Sequence, residues 1–359
     1  MDLSTRILAI NPGSTTTKVA VYQNKQVTFL KTFRHPPEVL ERFDRIIDQF
    51  EYRKNLILDE LRDSDVYVHL IAAVIGRGGL LKPIPSGVYR VNQAMIDELK
   101  KSDKGEHASN LGALIAYDLA KEFSNAEAFI ADPVVVDEFE PLARYSGHPD
   151  FERMSIFHAL NQKSIARIYS KSVMKEYESL NLIVVHLGGG ITVGAHRKGR
   201  VIDVNQGLDG DGPFSPERSG TLPAGALVRA AFSGKYTLDE MQDMLTGKGG
   251  MVAYLGTNDT YMVERDAKDG HRKSLEVMQA MAYQVAKEIG AMSTVLKGDV
   301  DAILITGGIA NSMWFCNLIQ ERIYKIAPVH IYPGQDEMRA LAENARLALS
   351  GEIEIKEYE

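Results

Sequence analysis

Apolar and polar residues along this chain follow two different periods. Runs rich in β-branched residues, broken by short Gly- or Asn-containing turns, predict a three-stranded meander near the N-terminus. Its strands are expected at 6–11, 15–22 and 27–33. The same plan returns at 182–187, 191–196 and 200–204. Because one meander appears in each half, the chain is expected to contain two structurally related halves.

A helical period separates the two meanders. Apolar residues recur every three or four positions in the segments 38–61, 93–100, 107–123 and 151–177. Short apolar runs instead predict buried parallel strands at 68–75, 128–136 and 302–306. Together these patterns predict an α/β fold. The apolar helix expected at 278–296 fits either a core helix or an interface between subunits.

Length and composition favour two domains. A chain of 359 residues with 45% apolar content exceeds the size at which a single hydrophobic core keeps growing. The sequence Gly147-His148-Pro149 indicates a crossover near residue 150. The expected domains are 1–150 and 151–337, with the C-terminal helical segment 338–359 returning to the first domain.

Charge and cysteine content narrow the function. Lys and Arg number 41 against 48 acidic residues, a net charge of -7 without a long charged block, which argues against nucleic acid or an anionic membrane as partner. The sequence shows neither a signal-peptide core nor a run of about 18 apolar residues. A cytoplasmic role with small molecules is therefore expected. The single cysteine, Cys316, lies in an apolar helical segment, which favours a buried thiol over a nucleophile.

Three glycine-containing turns follow predicted strands, at 11–18, 186–194 and 305–312. Glycine lets backbone N–H groups approach an anion closely, so each turn is a candidate phosphate cradle, although any one of them alone fits an ordinary turn. A Walker A loop is excluded because Arg229 replaces its first glycine. The dinucleotide pattern fails because Val193 replaces its last glycine. The sequence also lacks the spacing of a calcium loop or a zinc site.

The motifs at these turns are specific when read together. They are Asn-Pro-Gly-Ser-Thr-Thr-Thr-Lys, His-Leu-Gly-Gly-Gly-Ile and Ile-Thr-Gly-Gly-Ile-Ala-Asn-Ser, joined in order by the segments 75–79, 132–139, 157–163, 212–220 and 255–259. This series resembles the butyrate kinases of the acetokinase family, within the superfamily of acetate and sugar kinases, actin and heat-shock ATPases. The resemblance implies two duplicated ribonuclease-H-like domains, with ATP and a short carboxylic acid bound in a cleft between them.

The resemblance also implies roles for single residues. Arg77 resembles the arginine near the substrate carboxylate and Arg218 the arginine near the γ-phosphate, while a surface ion pair is the alternative for each. His186 resembles the imidazole that touches the transferred phosphoryl group, and a core position is its alternative. His107 resembles a further active-site histidine, and a helix N-terminal position is its alternative. The nucleotide-binding positions implied are Asn11, Gly13, Ser14, Thr15, Lys18, Gly188, Gly189, Gly190, Gly307 and Gly308.

Two carboxylates resemble the family's ligands for Mg²⁺. Asp132 ends an apolar strand, and Glu337 lies near the C-terminus beside Asp336, which is the alternative for the second position. ATP and Mg²⁺ are therefore the cofactors that the resemblance implies.

Butyrate, or a branched short-chain fatty acid, is the expected substrate, phosphorylated by direct in-line transfer. An acetate or propionate kinase with the same machinery is the nearest alternative. A non-kinase ATPase switch is another, and a sugar kinase would need a base aspartate to deprotonate a hydroxyl. The resemblance further implies a homodimer or a larger homo-oligomer.

Gly79, two positions after Arg77, bears on the length of the acyl chain. The pattern that resembles acetate kinases at this position is Arg-Val-Val-His-Gly-Gly, whereas this chain has Arg-Gly-Gly-Leu-Leu. Gly79 is therefore expected to leave room in the acyl pocket, so that Gly79→Val would favour shorter acids. The alternative is that the backbone there needs a positive φ, in which case any side chain would impair activity toward every acid alike.

Overall fold

The computed structural model describes residues 5–123, 126–334 and 336–359. The strands are β1 (Arg6–Pro12), β2 (Thr16–Gln23), β3 (Gln26–Arg34), β4 (Ile71–Arg77), β5 (Val88–Arg90), β6 (Glu127–Ala131), β7 (Asn181–Leu187), β8 (Ile191–Arg197), β9 (Arg200–Val204), β10 (Ala302–Gly307), β11 (Val329–Pro333) and β12 (Ile355–Lys356). The α-helices are α1 (Pro37–Leu40), α2 (Phe50–Asp63), α3 (Gln93–Lys101), α4 (Asn110–Glu122), α5 (Ala159–Ser172), α6 (Ala224–Ala231), α7 (Leu238–Leu245), α8 (Gly250–Leu255), α9 (Thr260–Lys268), α10 (Arg272–Val295), α11 (Met313–Ile323) and α12 (Glu337–Leu349).

Two sheets repeat one strand order. The first runs β12-β5-β6-β4-β1-β2-β3 and the second β11-β10-β7-β8-β9. In each, an antiparallel meander is extended by parallel strands beside its first member, β4 and β6 in one case and β10 and β11 in the other. The predicted α/β class and the predicted duplication are both confirmed.

The described chain separates into two compact units. The first comprises Met1–Val136 with Asp336–Glu359, and the second Asp137–Gln335. The expected crossover near residue 150 therefore lies inside the second unit. The reason is local hydrogen bonding, because the Glu140 N–H donates to the Ile202 carbonyl and the buried Lys163 ammonium donates to Glu138 at 2.7 Å. These contacts hold the segment after Val136 on the second sheet.

Helices cover the parallel strands of each sheet. In the first unit α4 and α12 both pack on β4 and β6. In the second, α10 packs on β7 and β8, and its Met278, Met281, Val285 and Ile289 side chains are buried in the core. The apolar face of this helix is therefore a core face, the first of the two alternatives considered. Among the described residues, no helix is both long and apolar enough to span a membrane.

Three predicted helices differ from the observed ones at their ends. The segment 38–61 forms two helices, α1 and α2, because Asp48 accepts a hydrogen bond from the Arg45 N–H and starts a new turn between them. Helix α4 begins at Asn110 and not at residue 107, and the side chain of the preceding Ser109 makes no capping hydrogen bond. Helix α5 is shorter than 151–177, and the exposed Phe151 lies before it.

Candidate active site

The first turn is held by a long-range hydrogen bond. Asn11 lies at the end of β1, is buried, and donates from Nδ2 to Glu337 Oε2 at 2.5 Å. Beyond it the Gly13 N–H donates to the Thr16 carbonyl at 2.7 Å and closes the turn. Ser14, Thr15 and Lys18 are exposed on it. The turn therefore presents hydroxyl and ammonium groups to solvent above a fixed backbone.

Arg77 joins this group from the end of β4. Its NH1 lies 3.3 Å from Glu337 Oε2, the same oxygen that Asn11 contacts. Glu337 is buried at the first turn of α12, whereas Asp336 is exposed and caps that helix by accepting from the Arg339 N–H. Asn11, Arg77 and Glu337 thus form one cluster, and Asp336 has a separate role as a helix cap.

Glycines allow the Arg77 segment to pack closely. A Cβ at Gly76 would collide with the Gly112 carbonyl of α4, and one at Gly78 would lie 2.5 Å from Pro133 Cβ. At Gly79 an added Cβ would lie 2.6 Å from Asn110 Cα and 3.0 Å from its backbone N. Its φ is not among the positive values in the chain. The positive-φ interpretation of Gly79 is therefore wrong, and the glycine permits close contact with the start of α4. Its effect on the preference for shorter acids stays a prediction.

Asp132 follows β6 and is almost fully buried. Its backbone has a positive φ of 39°, and its Oδ1 accepts hydrogen bonds from Ser86 Oγ at 2.6 Å and from the Gly87 N–H at 3.0 Å. These contacts fix the carboxylate on the loop before β5.

The carboxylates fit Mg²⁺ chemically but do not form a protein cage. Within the described part of the chain, no group of three or more His, Cys, Asp or Glu side chains is placed to hold a metal. Mg²⁺ commonly takes one or two carboxylates together with waters and substrate phosphates. Glu337 Oε1 makes no hydrogen bond among the described residues, so this oxygen suits such a role.

His107 makes local contacts at the start of α4. Its Nδ1 lies 2.7 Å from Ser109 Oγ and accepts from the Ser109 N–H at 3.2 Å. This is the pattern of the helix N-terminal alternative. The active-site role of His107 remains a prediction.

His186 lies at the end of β7 and is buried. Its Nδ1 is 2.7 Å from Asn161 Oδ1, and its ring stacks on that of His158 with centroids 3.8 Å apart and an interplanar angle of 11°. A Cβ on Gly188 would lie 2.8 Å from His186 Nε2, so this nitrogen points at the glycine turn. His158 and Asn161 contact His186 but were not predicted as its neighbours, although both lie in the 157–163 motif.

A buried hydrogen-bond chain reaches His158. Gln162 Nε2 donates to the Thr192 carbonyl. Because a carbonyl can only accept, the orientation of the Gln162 amide is fixed. Its Oε1 therefore faces His196 Nε2, at 3.0 Å. Burial, aided by nearby cations, holds the pKa of His196 well below its usual value, so its ring is neutral. His196 therefore donates to Gln162 and accepts from the Tyr177 hydroxyl. Gln162 also donates to Thr192 Oγ1, and the Thr192 proton is then available to His158 Nδ1, 2.9 Å away.

Arg218 folds over the second glycine turn. Its NH1 donates to the Gly207 carbonyl, and a Cβ on Gly190 would collide with the guanidinium. The same segment is anchored because Ser215 Oγ donates to the Gly189 carbonyl at 2.5 Å. His186, the glycine turn and Arg218 thus form the second cluster.

The third turn lies at the end of β10. Gly307 has a φ of +98° and packs on the backbone of Leu187, where a Cβ would lie 2.7 Å from the carbonyl carbon. An added Cβ on Gly308 would meet nothing within 4 Å, so the backbone there is open to a ligand. Cys316 on the following helix is buried, and burial raises the pKa of its thiol to about 11, which opposes a nucleophilic role.

Comparison with known proteins places these motifs in a family. The model of the acetokinase family matches residues 152–336. Two curated proteins of Clostridium acetobutylicum are similar over 353 residues, 98% of this chain and 99% of each of them: butyrate kinase 1 at 55% identity and butyrate kinase 2 at 52%.

Solved structures agree on the fold. The crystal structure of Porphyromonas gingivalis acetate kinase superposes with a TM-score of 0.79 at 17% identity, covering 96% of this chain and 100% of that one. A propionate kinase from Francisella tularensis gives 0.76 at 17% identity, covering 95% and 98%. These similarities confirm the duplicated ribonuclease-H-like fold.

Proposed function

Because the chain belongs to the acetokinase family, we propose that it is a butyrate kinase, which transfers the γ-phosphoryl group of ATP to the carboxylate of butyrate. The observation that carries this proposal is identity above 50% with two butyrate kinases along nearly the whole chain. The Asn11–Arg77–Glu337 cluster and the His186–Arg218 cluster support it, since each contains a cation beside a glycine-rich turn or loop.

The chemistry calls for cations more than for a base. Butyrate has a pKa near that of Glu and is ionised at neutral pH, so the nucleophile needs no deprotonation. Its oxygen forms the new bond to the γ-phosphorus as the bond to the bridging oxygen breaks and ADP leaves. The obstacle is repulsion between two anions, while charge builds on the equatorial oxygens of the phosphoryl group.

The proposed roles follow from this obstacle. Arg77 aligns the carboxylate, and Arg218 with His186 stabilises the phosphoryl group during transfer. Asp132 and Glu337 would hold Mg²⁺, which neutralises charge on the ATP phosphates when bound. The open backbone at Gly308 suits close approach of the nucleotide.

We also propose a cytoplasmic location, where ATP is available, and assembly as a homodimer or larger homo-oligomer. Light scattering on the purified protein tests the assembly, and a monomer at micromolar concentration would contradict it.

Trapping of the acyl phosphate with hydroxylamine tests the function. With ATP, Mg²⁺ and butyrate, the protein should form butyrylhydroxamate and ADP in equal amounts, and almost no ADP without the acid. ATP hydrolysis that proceeds equally without any acid would contradict a kinase and favour a nucleotide-driven switch.

A further inference from the structure

A buried guanidinium lies directly beneath the first glycine turn. Arg53, on α2, is 1% exposed, although the sequence around it has the pattern of an ordinary amphipathic helix. Its NH1 donates to the carbonyls of Gly13 and Thr16 at 2.8 and 3.2 Å, and its NH2 donates to the Ser14 carbonyl at 3.0 Å. One side chain therefore donates hydrogen bonds to three backbone carbonyls of the turn.

The remaining donors of Arg53 are also satisfied. NH1 lies 3.0 Å from Thr17 Oγ1, while Nε and NH2 both donate to Gln49 Oε1, at 3.1 and 2.7 Å. Every one of these acceptors is a neutral oxygen. Among the described residues no carboxylate forms an ion pair with Arg53. The positive charge is therefore solvated by dipoles and is not cancelled.

Burial of this charge shifts the pKa of Arg53 itself and of a neighbouring histidine, His35. Burial lowers the pKa of Arg53 to about 10. Burial, followed by the charge of Arg53, lowers the pKa of His35 to about 4, so His35 is neutral at pH 7 and bonds Thr17 Oγ1 through Nε2 at 2.8 Å. An unpaired charge inside a protein is costly, so a counter-charge that arrives with a ligand is favoured.

We propose that Arg53 is a positioning residue for the nucleotide: it fixes the 13–17 turn from below, and its uncancelled charge strengthens binding of the ATP phosphates there. The inference rests on the proposed function, because it takes the turn as a phosphate site. By pulling the carbonyls of Gly13, Ser14 and Thr16 inward, Arg53 leaves the exposed side of the turn to its donors. The guanidinium does not itself touch the ligand.

The Gln49→Glu variant tests the charge of Arg53 separately from the hydrogen bonds that Arg53 makes to position 49. A glutamate at position 49 has the shape of glutamine and keeps both hydrogen bonds to Arg53, but it cancels the charge beneath the turn. The Kd for ATP, measured by calorimetry without acid, should rise about tenfold, the order expected for cancelling one buried charge. The KM for butyrate should remain close to wild type, and the melting temperature should not fall, because the new carboxylate pairs with a buried charge.

Arg62→Gln is the matched control. Arg62 is exposed on the same helix, and its one ion pair among the described residues is with Asp59 at 3.6 Å. Its loss changes the net charge as much as Gln49→Glu does. It should leave ATP binding unchanged. Arg53→Lys is the second test: it keeps the charge but loses the planar fork, and it should weaken ATP binding while the protein still folds.

Unchanged ATP affinity in Gln49→Glu would overturn the proposal, as would an equal loss in Arg62→Gln. If Gln49→Glu does not fold, ATP affinity in Arg53→Lys decides, and wild-type affinity there overturns the proposal. Failure of the proposed function is distinguishable, because it would show as wild-type protein that binds no ATP or makes no butyrylhydroxamate.

Discussion

A methyl group added at Gly79 should damage the whole Arg77 segment and should not resize an acyl pocket. In Gly79→Ala the new Cβ would lie 2.6 Å from Asn110 Cα, a backbone atom at the start of α4 that cannot move aside alone. Overpacking of this kind typically costs about 1–3 kcal/mol. Asn110 also accepts from the Leu80 N–H at 2.8 Å, so a shift would disturb the loop that follows Arg77.

Chemical denaturation and kcat/KM for acetate, propionate and butyrate test this reasoning. Gly79→Ala should lower stability by about 1–3 kcal/mol and lower activity toward all three acids by a similar factor. Gly147→Ala is the matched control, because an added Cβ there meets nothing within 4 Å, and both properties should remain near wild type. A Gly79→Val protein of normal stability that prefers acetate would refute the packing argument and restore the acyl-pocket interpretation.

Two further predictions concern charge. Arg218→Ala should lower kcat by roughly 10³-fold or more with a smaller change in the KM for ATP, and Arg218→Lys should recover only part of the rate; a near-normal kcat would leave Arg218 a structural role. Burial, followed by the charge of Asp211, raises the pKa of Glu288 to about 7 from 4.5, so its contribution to stability is lost as the pH rises through that range. Glu288→Gln should therefore stabilise the protein at pH 8 by at most about 3 kcal/mol and have little effect at pH 4, as measured by urea denaturation at both pH values.

Much of the fold could be predicted because its signals are local. The meander strands carry β-branched runs, and the glycine turns between them need few neighbours to form. Arg77 is the last residue of its strand, and Asn11 and His186 each lie one residue before the end of theirs, so their positions at the ends of strands could be predicted. Their presence in two clusters follows from the repeated strand order.

The parts that the sequence left open or missed depend on residues far apart in the chain. Glu337 meets Asn11 across 326 positions, so nothing local distinguishes it from Asp336. Arg53 occupies a helix whose other polar residues are exposed or half-buried, and only the folded turn reveals that Arg53 points inward. A side chain at Gly79 would collide with Asn110 at the start of α4. The residues next to Gly79 in the sequence give no information about this contact, because Asn110 belongs to another element.

The ratio of kcat/KM for butyrate to that for acetate, measured with saturating ATP and Mg²⁺, tests the central claim most directly. Two more buried methylenes are worth about 1.6 kcal/mol, so butyrate should be favoured by on the order of 15-fold. A ratio near or below one, with acetate the best of a series from two to five carbons, would contradict the assignment as a butyrate kinase.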